Sequence, residues 1–195
     1  MKITKLNVMI MAGVVLGWNV ALAGEAPKGW FPAGSHPKEY VMSLDHKITH
    51  GGKGSASLKS IVEDTRGFGT LMQAFKPDAF RGKRVRMSGY VKAKEVKDWA
   101  GLWMRVDESP GGQVLAFDNM QDRPIKGTTD WVKCEVVLDV PQESQGVAFG
   151  LLLTGEGQVW MDDLKFEVVG TDVPTTGAPA KESMPKAPAN LDFEE

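Results

Sequence analysis

The stretch WAGLWMRVD, residues 99–107, separates into two faces when every second residue is read. Ala100, Leu102, Met104 and Val106 form one face; Trp99, Gly101, Trp103, Arg105 and Asp107 form the other. Successive side chains of a strand point to opposite sides, so the first face belongs to a core. The second face carries two indoles beside an arginine and an aspartate, away from that core. A helix does not produce this split, because the apolar positions of KEVKDWAGLWM do not recur at three and four.

Short strand-like runs continue on both sides: 40–46, 55–62, 69–75, 84–94, 99–107, 113–119, 131–140, 146–154 and 158–169. Turn clusters such as HGGKG, KPDAFRGK, ESPGG, DRPIKGTTD, PQESQG and TGEG separate them. Glycine supplies positive φ and proline fixes a bend, so each cluster ends a strand. Short strands at this spacing, with no sustained helical period, predict an all-β chain folded as a two-sheet antiparallel sandwich.

The ends read differently. Lys2 and Lys5 precede a mostly apolar run, Leu6 to Leu22, and Ala21-Leu22-Ala23 offers small residues at a cleavage site. This is the build of a secretory signal peptide over 1–23, placing the product in a secreted or periplasmic compartment with no stable membrane insertion. The run is short for a retained span. After Val169, four prolines fall among Gly, Thr and Ala. The domain is therefore set at 24–170 and an extended linker at 171–189. NLDFEE, residues 190–195, again alternates as a short strand would.

The whole chain holds 23 basic and 25 acidic residues, and removing the leader takes two lysines with it. A mildly acidic exported chain lacks the basic footprint that nucleic acid requires. Cys134 is the one cysteine; it alternates with Val132 and Val136 and reads as a small buried residue. His36, His46 and His50 form no helical metal motif, and HGGKGSAS departs from phosphate-loop spacing. No nucleophile–base arrangement and no singled-out carboxylate pair emerges, so no enzyme is expected.

The outward list of 84–94 is Arg84, Arg86, Ser88, Tyr90 and Lys92. Placed beside the outward list of 99–107, it gives a candidate ligand face of Tyr90, Trp99, Trp103 and Arg105. Asn119, Gln121 and Asp122 follow just downstream. Flat rings among amides, carboxylates and guanidinium groups suit a sugar, whose C–H face stacks on an indole while its hydroxyls pair with polar side chains. Trp131, at a strand start, and Trp160, alternating with Leu164 and Phe166, read as structural.

GWFPAGSHPKEY (29–40), GFGTLMQAFKPDAFRGKRVRMSGYVK (67–92), WAGLWMRVD, LAFDNMQDRPIKGTTDW (115–131) and VWMDDLKFEVV (159–169) together resemble a bacterial galactose-binding-like jelly-roll domain of the carbohydrate-binding-module type. The resemblance implies a jelly roll, a ligand site on the concave face or loop end, and a structural calcium at Asp162 or Asp163. It also implies an opening N-x-x-F-E strand; here the matching NLDFEE stands at the far end, so it either folds back as an edge strand or begins another domain. Some look-alikes carry a transcriptional-regulator label. With a leader in front and no helix-turn-helix legible, that label is set aside. The reading is an exported, non-catalytic module binding carbohydrate. The alternatives are a structural or protein-interaction module that docks another extracytoplasmic protein, and, third, a glycoside hydrolase.

Overall fold

A computed structural model describes residues 26–177. The expected leader, residues 178–189 of the expected linker and the 190–195 strand lie outside them.

The described chain is nearly all strand: β1 Phe31–Gly34, β2 Tyr40–Asp45, β3 Ser55–Ser60, β4 Phe68–Phe75, β5 Lys83–Asp107, β6 Val114–Asp118, β7 Ile125–Val140, β8 Gly146–Thr154 and β9 Gln158–Val169. A single 3₁₀ turn, Pro37–Glu39, leads into β2. Every strand pair is antiparallel.

The two runs 84–94 and 99–107 are one strand. Up to Lys94, β5 pairs with β9 and mainly with β7, whose last contacts with it are at Val96 and Ala100; from Trp99 it pairs with β8, and from Met104 also with β6. Its middle carries register shifts and a positive φ of 54° at Glu95, the irregularities by which a corner strand passes from one sheet to the other. The ladder therefore folds into a front sheet, β1-β4-β8-β5-β6, and a back sheet, β7-β5-β9-β3-β2. This is the two-sheet antiparallel sandwich the alternation predicts, in the jelly-roll form the resemblance implies.

One core lies between the sheets. Ala100, Leu102, Met104 and Val106 are fully buried, as their alternation requires, beside Val85, Met87 and Val91 from the same strand. Leu71, Leu151, Leu153, Leu58 and Val159 meet them from β4, β8, β3 and β9. Burying such side chains contributes about 1.5–3 kcal/mol each. Cys134 joins this core, and burial pushes its thiol up to about 11, with Arg123 pulling weakly the other way.

Residues 171–177 do not behave as a free linker. Arg84 donates to the carbonyls of Thr171 and Val173, and Thr176 exchanges hydrogen bonds with Val137 across the edge of β7. The Thr176 hydroxyl also reaches Asp118 at the end of β6, so this segment straps the gap between the two edge strands.

Candidate functional site

The outer face of the front sheet is unusually apolar. Trp103, Ala148 and Leu152 form a second buried cluster, separate from the main core, with Phe68, Met72 and Trp99 against it. The reason is visible in β8, whose residues Val147 to Leu153 are all buried, so neither face of that strand is wet. Trp103 lies opposite Gly150, where a Cβ would clash with the Leu71 carbonyl oxygen of β4. The Trp103 Nε1–H then donates to the Thr70 hydroxyl on β4 at 2.7 Å.

A groove of about 350 Å³ runs over this cluster. Trp103, Thr70, Met72 and Leu152 form its base, with Phe68, Phe117 and Arg105 among its lining. Phe117 faces Arg105 across the β5–β6 ladder and is 41% exposed. The Arg105 guanidinium is held by Asp107: Nε and Nη2 donate to Oδ2 at 3.1 and 3.0 Å. The Asp107 side chain is nearly buried, so the arginine is fixed at its base while its tip lines the groove.

The expected ligand residues divide three ways. Trp103 and Arg105 do meet at the groove, but Trp103 is only 6% exposed and its N–H is already used, so it is a floor rather than a wet platform. Trp99 is half-buried against the same cluster. Tyr90 is not with them: it faces outward from the back sheet, in register with Lys133 and Asp162, on the opposite side of the sandwich. The β5 bend puts the two outward lists on different sheets.

Asn119, Gln121 and Asp122 do not line the groove. Asn119 Oδ1 caps the Gln121 N–H, and Asp122 pairs with Arg123 at 2.8 Å. This loop is tied down by Asp118, which accepts from Met120 N–H and the Arg123 guanidinium. Burial alone would lower the Arg123 pKa; the Asp118 carboxylate outweighs it and holds it above its ordinary value. The loop presses on the front sheet between the two tryptophans. A Cβ at Gly101 would sit 2.9 Å from Met120 Cβ, so only glycine leaves the space.

Asp162 and Asp163 do not fit a calcium ion. Asp162 accepts the backbone N–H groups of His50, Gly51 and Asp163 at 2.9, 3.1 and 2.8 Å. Asp163 Oδ2 lies 2.7 Å from His50 Nδ1. Surrounded by N–H donors, this pair anchors the 46–54 loop to β9; among the described residues no group of three or more acidic, His or Cys side chains gathers for a metal.

Trp160 is also placed otherwise than its alternation with Leu164 and Phe166 indicates. Val159 and Met161 belong to the core, whereas Trp160 faces outward under the 46–54 loop and donates to Asp45 Oδ2 at 2.9 Å. Between Trp160 and Phe166 the strand gains an extra residue: Ser88 pairs with Lys165 but Tyr90 with Asp162. Asp163 takes a φ of 52° there, a bulge that inverts the facing order.

Phe68, Thr70, Met72, Phe117 and Leu152 were not singled out from the sequence. The available signal was apolar content on both faces of GVAFGLLLT, which shows that the outer face of that strand is covered.

No family model matches the chain. Over 169 residues it is 48% identical to a Bacillus subtilis protein named as an uncharacterized HTH-type transcriptional regulator, YbfP; the match covers 86% of this chain and 57% of that protein. The label set aside from the sequence thus attaches to a close relative. Among solved structures, the xylan-binding CBM22-1 domain of Paenibacillus barcinonensis Xyn10C superposes with a TM-score of 0.54 at 17% identity, covering 75% of this chain and 90% of that one. The enzymatically active domain of bacteriophage CBA120 tailspike protein 4 gives 0.56 at 11%, covering 73% and 20%. The fold is that of the carbohydrate-binding-module jelly rolls.

Proposed function

We propose that the chain is a non-catalytic binding module that takes carbohydrate in the front-sheet groove. One observation carries this reading: Arg105, clamped by Asp107, is the only charged side chain among the described residues that lines a mostly apolar trough beside the exposed Phe117 ring. Such a trough receives the C–H face of a pyranose, while its hydroxyls accept from the fixed guanidinium. Aromatic contacts contribute about 0.5–1.5 kcal/mol each beyond area burial, so the affinity for a single sugar chain is modest. Two-carboxylate hydrolysis needs a pair of acids flanking the bond, and among the described residues no carboxylate pair lines this groove. With the leader-like first residues, the module acts outside the cytoplasm, in the periplasm or secreted.

A second reading follows from the relative named as a regulator, 57% of whose length this chain spans. There the same groove is the effector-sensing face of a regulator, acting inside the cell. Fractionation of cells expressing the full chain separates the two: export supports the first, retention in the cytosol the second.

A glycan array tests ligand class directly. The native protein retains a defined set of glycans, and Phe117→Ala and Arg105→Met each weaken retention at least tenfold. A blank array from well-folded native protein sinks the carbohydrate reading.

A further inference from the structure

We propose that the back sheet carries a second, separate sugar-binding site, on the opposite outer face of the sandwich. A cleft of about 690 Å³ lies there, lined by Tyr90 and His50, Ser88 and Arg86, and Lys165 and Glu167.

The walls are preformed. The His50 ring stacks on Tyr90 at 3.6 Å with an angle of 14° between planes, and Trp131 meets His50 edge-on at 5.7 Å. His50 is held in place by Asp163 and its backbone by Asp162, so the stack is fixed from β9. The bulge at Asp163 is what aims this residue outward, and its positive φ is a cost that the surrounding contacts sustain.

The floor is polar and holds one buried donor without a hydrogen bond. Ser88 is 5% exposed and lines the cleft. Arg86 Nε is buried without a hydrogen bond, although the guanidinium pairs with the Glu135 carboxylate at 3.5 Å. Buried polar groups are normally paired, and their exceptions call for a partner. On the rim, Lys165 and Glu167 share one face of β9 and make no ion pair with any described residue. A donor and an acceptor side by side match neighbouring hydroxyls, each of which both donates and accepts.

This chemistry is that of a vicinal diol on a pyranose ring, held against an aromatic wall. It differs from the front groove, where a single cation sits in apolar surroundings. Two sites back to back make the chain bivalent, able to bridge two polysaccharide chains or to gain avidity on one surface.

The test uses backbone amide NMR of the full chain titrated with soluble xylohexaose, cellohexaose, chitohexaose and galactotriose. At least one of these shifts the amides of Ser88 and Lys165 saturably. Lys165→Ala with Glu167→Ala, both on exposed positions, weakens that response at least tenfold and leaves shifts around Trp103 unchanged; Ser88→Ala acts in the same direction. Phe117→Ala does the reverse, so the two sites fail independently. Loss of the front response alone removes the groove reading and keeps this one. No saturable shift at Ser88 and Lys165 with any of the four sugars, up to ten millimolar, overturns the second site.

Discussion

The Trp103 indole spans β8 to donate to the hydroxyl of Thr70 on β4, two strands away from its own backbone. That hydroxyl in turn donates to the Leu151 carbonyl at 2.8 Å, so the ring is fixed through a buried relay rather than by packing alone. The floor of the groove is therefore rigid before any ligand arrives, which reduces the ordering cost of binding.

Removing the relay has a defined cost. Thr70→Val keeps the shape and leaves the indole N–H without a partner, lowering stability by about 1–3 kcal/mol in urea denaturation. Thr70→Ser restores most of it. Equal stability of the valine variant and the native chain contradicts the relay.

The thiol of Cys134 is inert in the fold. Burial raises its pKa to about 11, so at pH 8 the reactive thiolate is scarce. Iodoacetamide labels the native protein far more slowly than the urea-unfolded chain, as followed by intact mass. Comparable rates mean that the site is open.

Asp45 links acid stability to the loop over the back sheet. Burial pushes its carboxyl up, but the Lys47 N–H, the Trp160 indole and the Ile48 N–H outweigh this, and its pKa lies below the ordinary value. A lowered folded pKa means that the stabilisation is present above the ordinary carboxylate range and is lost as pH falls through the lowered value. Thermal unfolding against pH therefore shows a shallower acid limb for Asp45→Asn than for the native chain. Superimposable acid limbs refute the link.

The strap 171–177 belongs to the folded unit. A chain ending at Gly170 loses the Thr176 bonds to Val137 and Asp118 and the Arg84 bonds to the strap carbonyls. It unfolds at lower urea concentration than a chain ending at Gly177. Identical midpoints show that the strap contributes nothing.

Alternation made the core of β5 legible, from Val85 through Val106, because one sheet face is dry along its whole length. It misplaced Tyr90 because alternation assigns a side chain to a face, not to a sheet, and the bend near Glu95 separates two outward lists that look continuous. It misplaced Trp160 because a bulge at Asp163 adds a residue that leaves no mark in the hydrophobic pattern. Trp103 was correctly put on the outer face but read as wet. Its burial depends on Leu152, Thr70 and Met72 from other strands, and those pairings are long-range. The strand β1 escaped notice, being short and carrying Pro32 at a sheet edge.

The most direct test follows the Trp103 indole N–H and the Arg105 Nε–H by NMR while an array-positive oligosaccharide is added. Both signals shift saturably, with one dissociation constant that Phe117→Ala weakens at least tenfold. Saturating sugar that leaves both signals in place contradicts the front-sheet groove as the carbohydrate site.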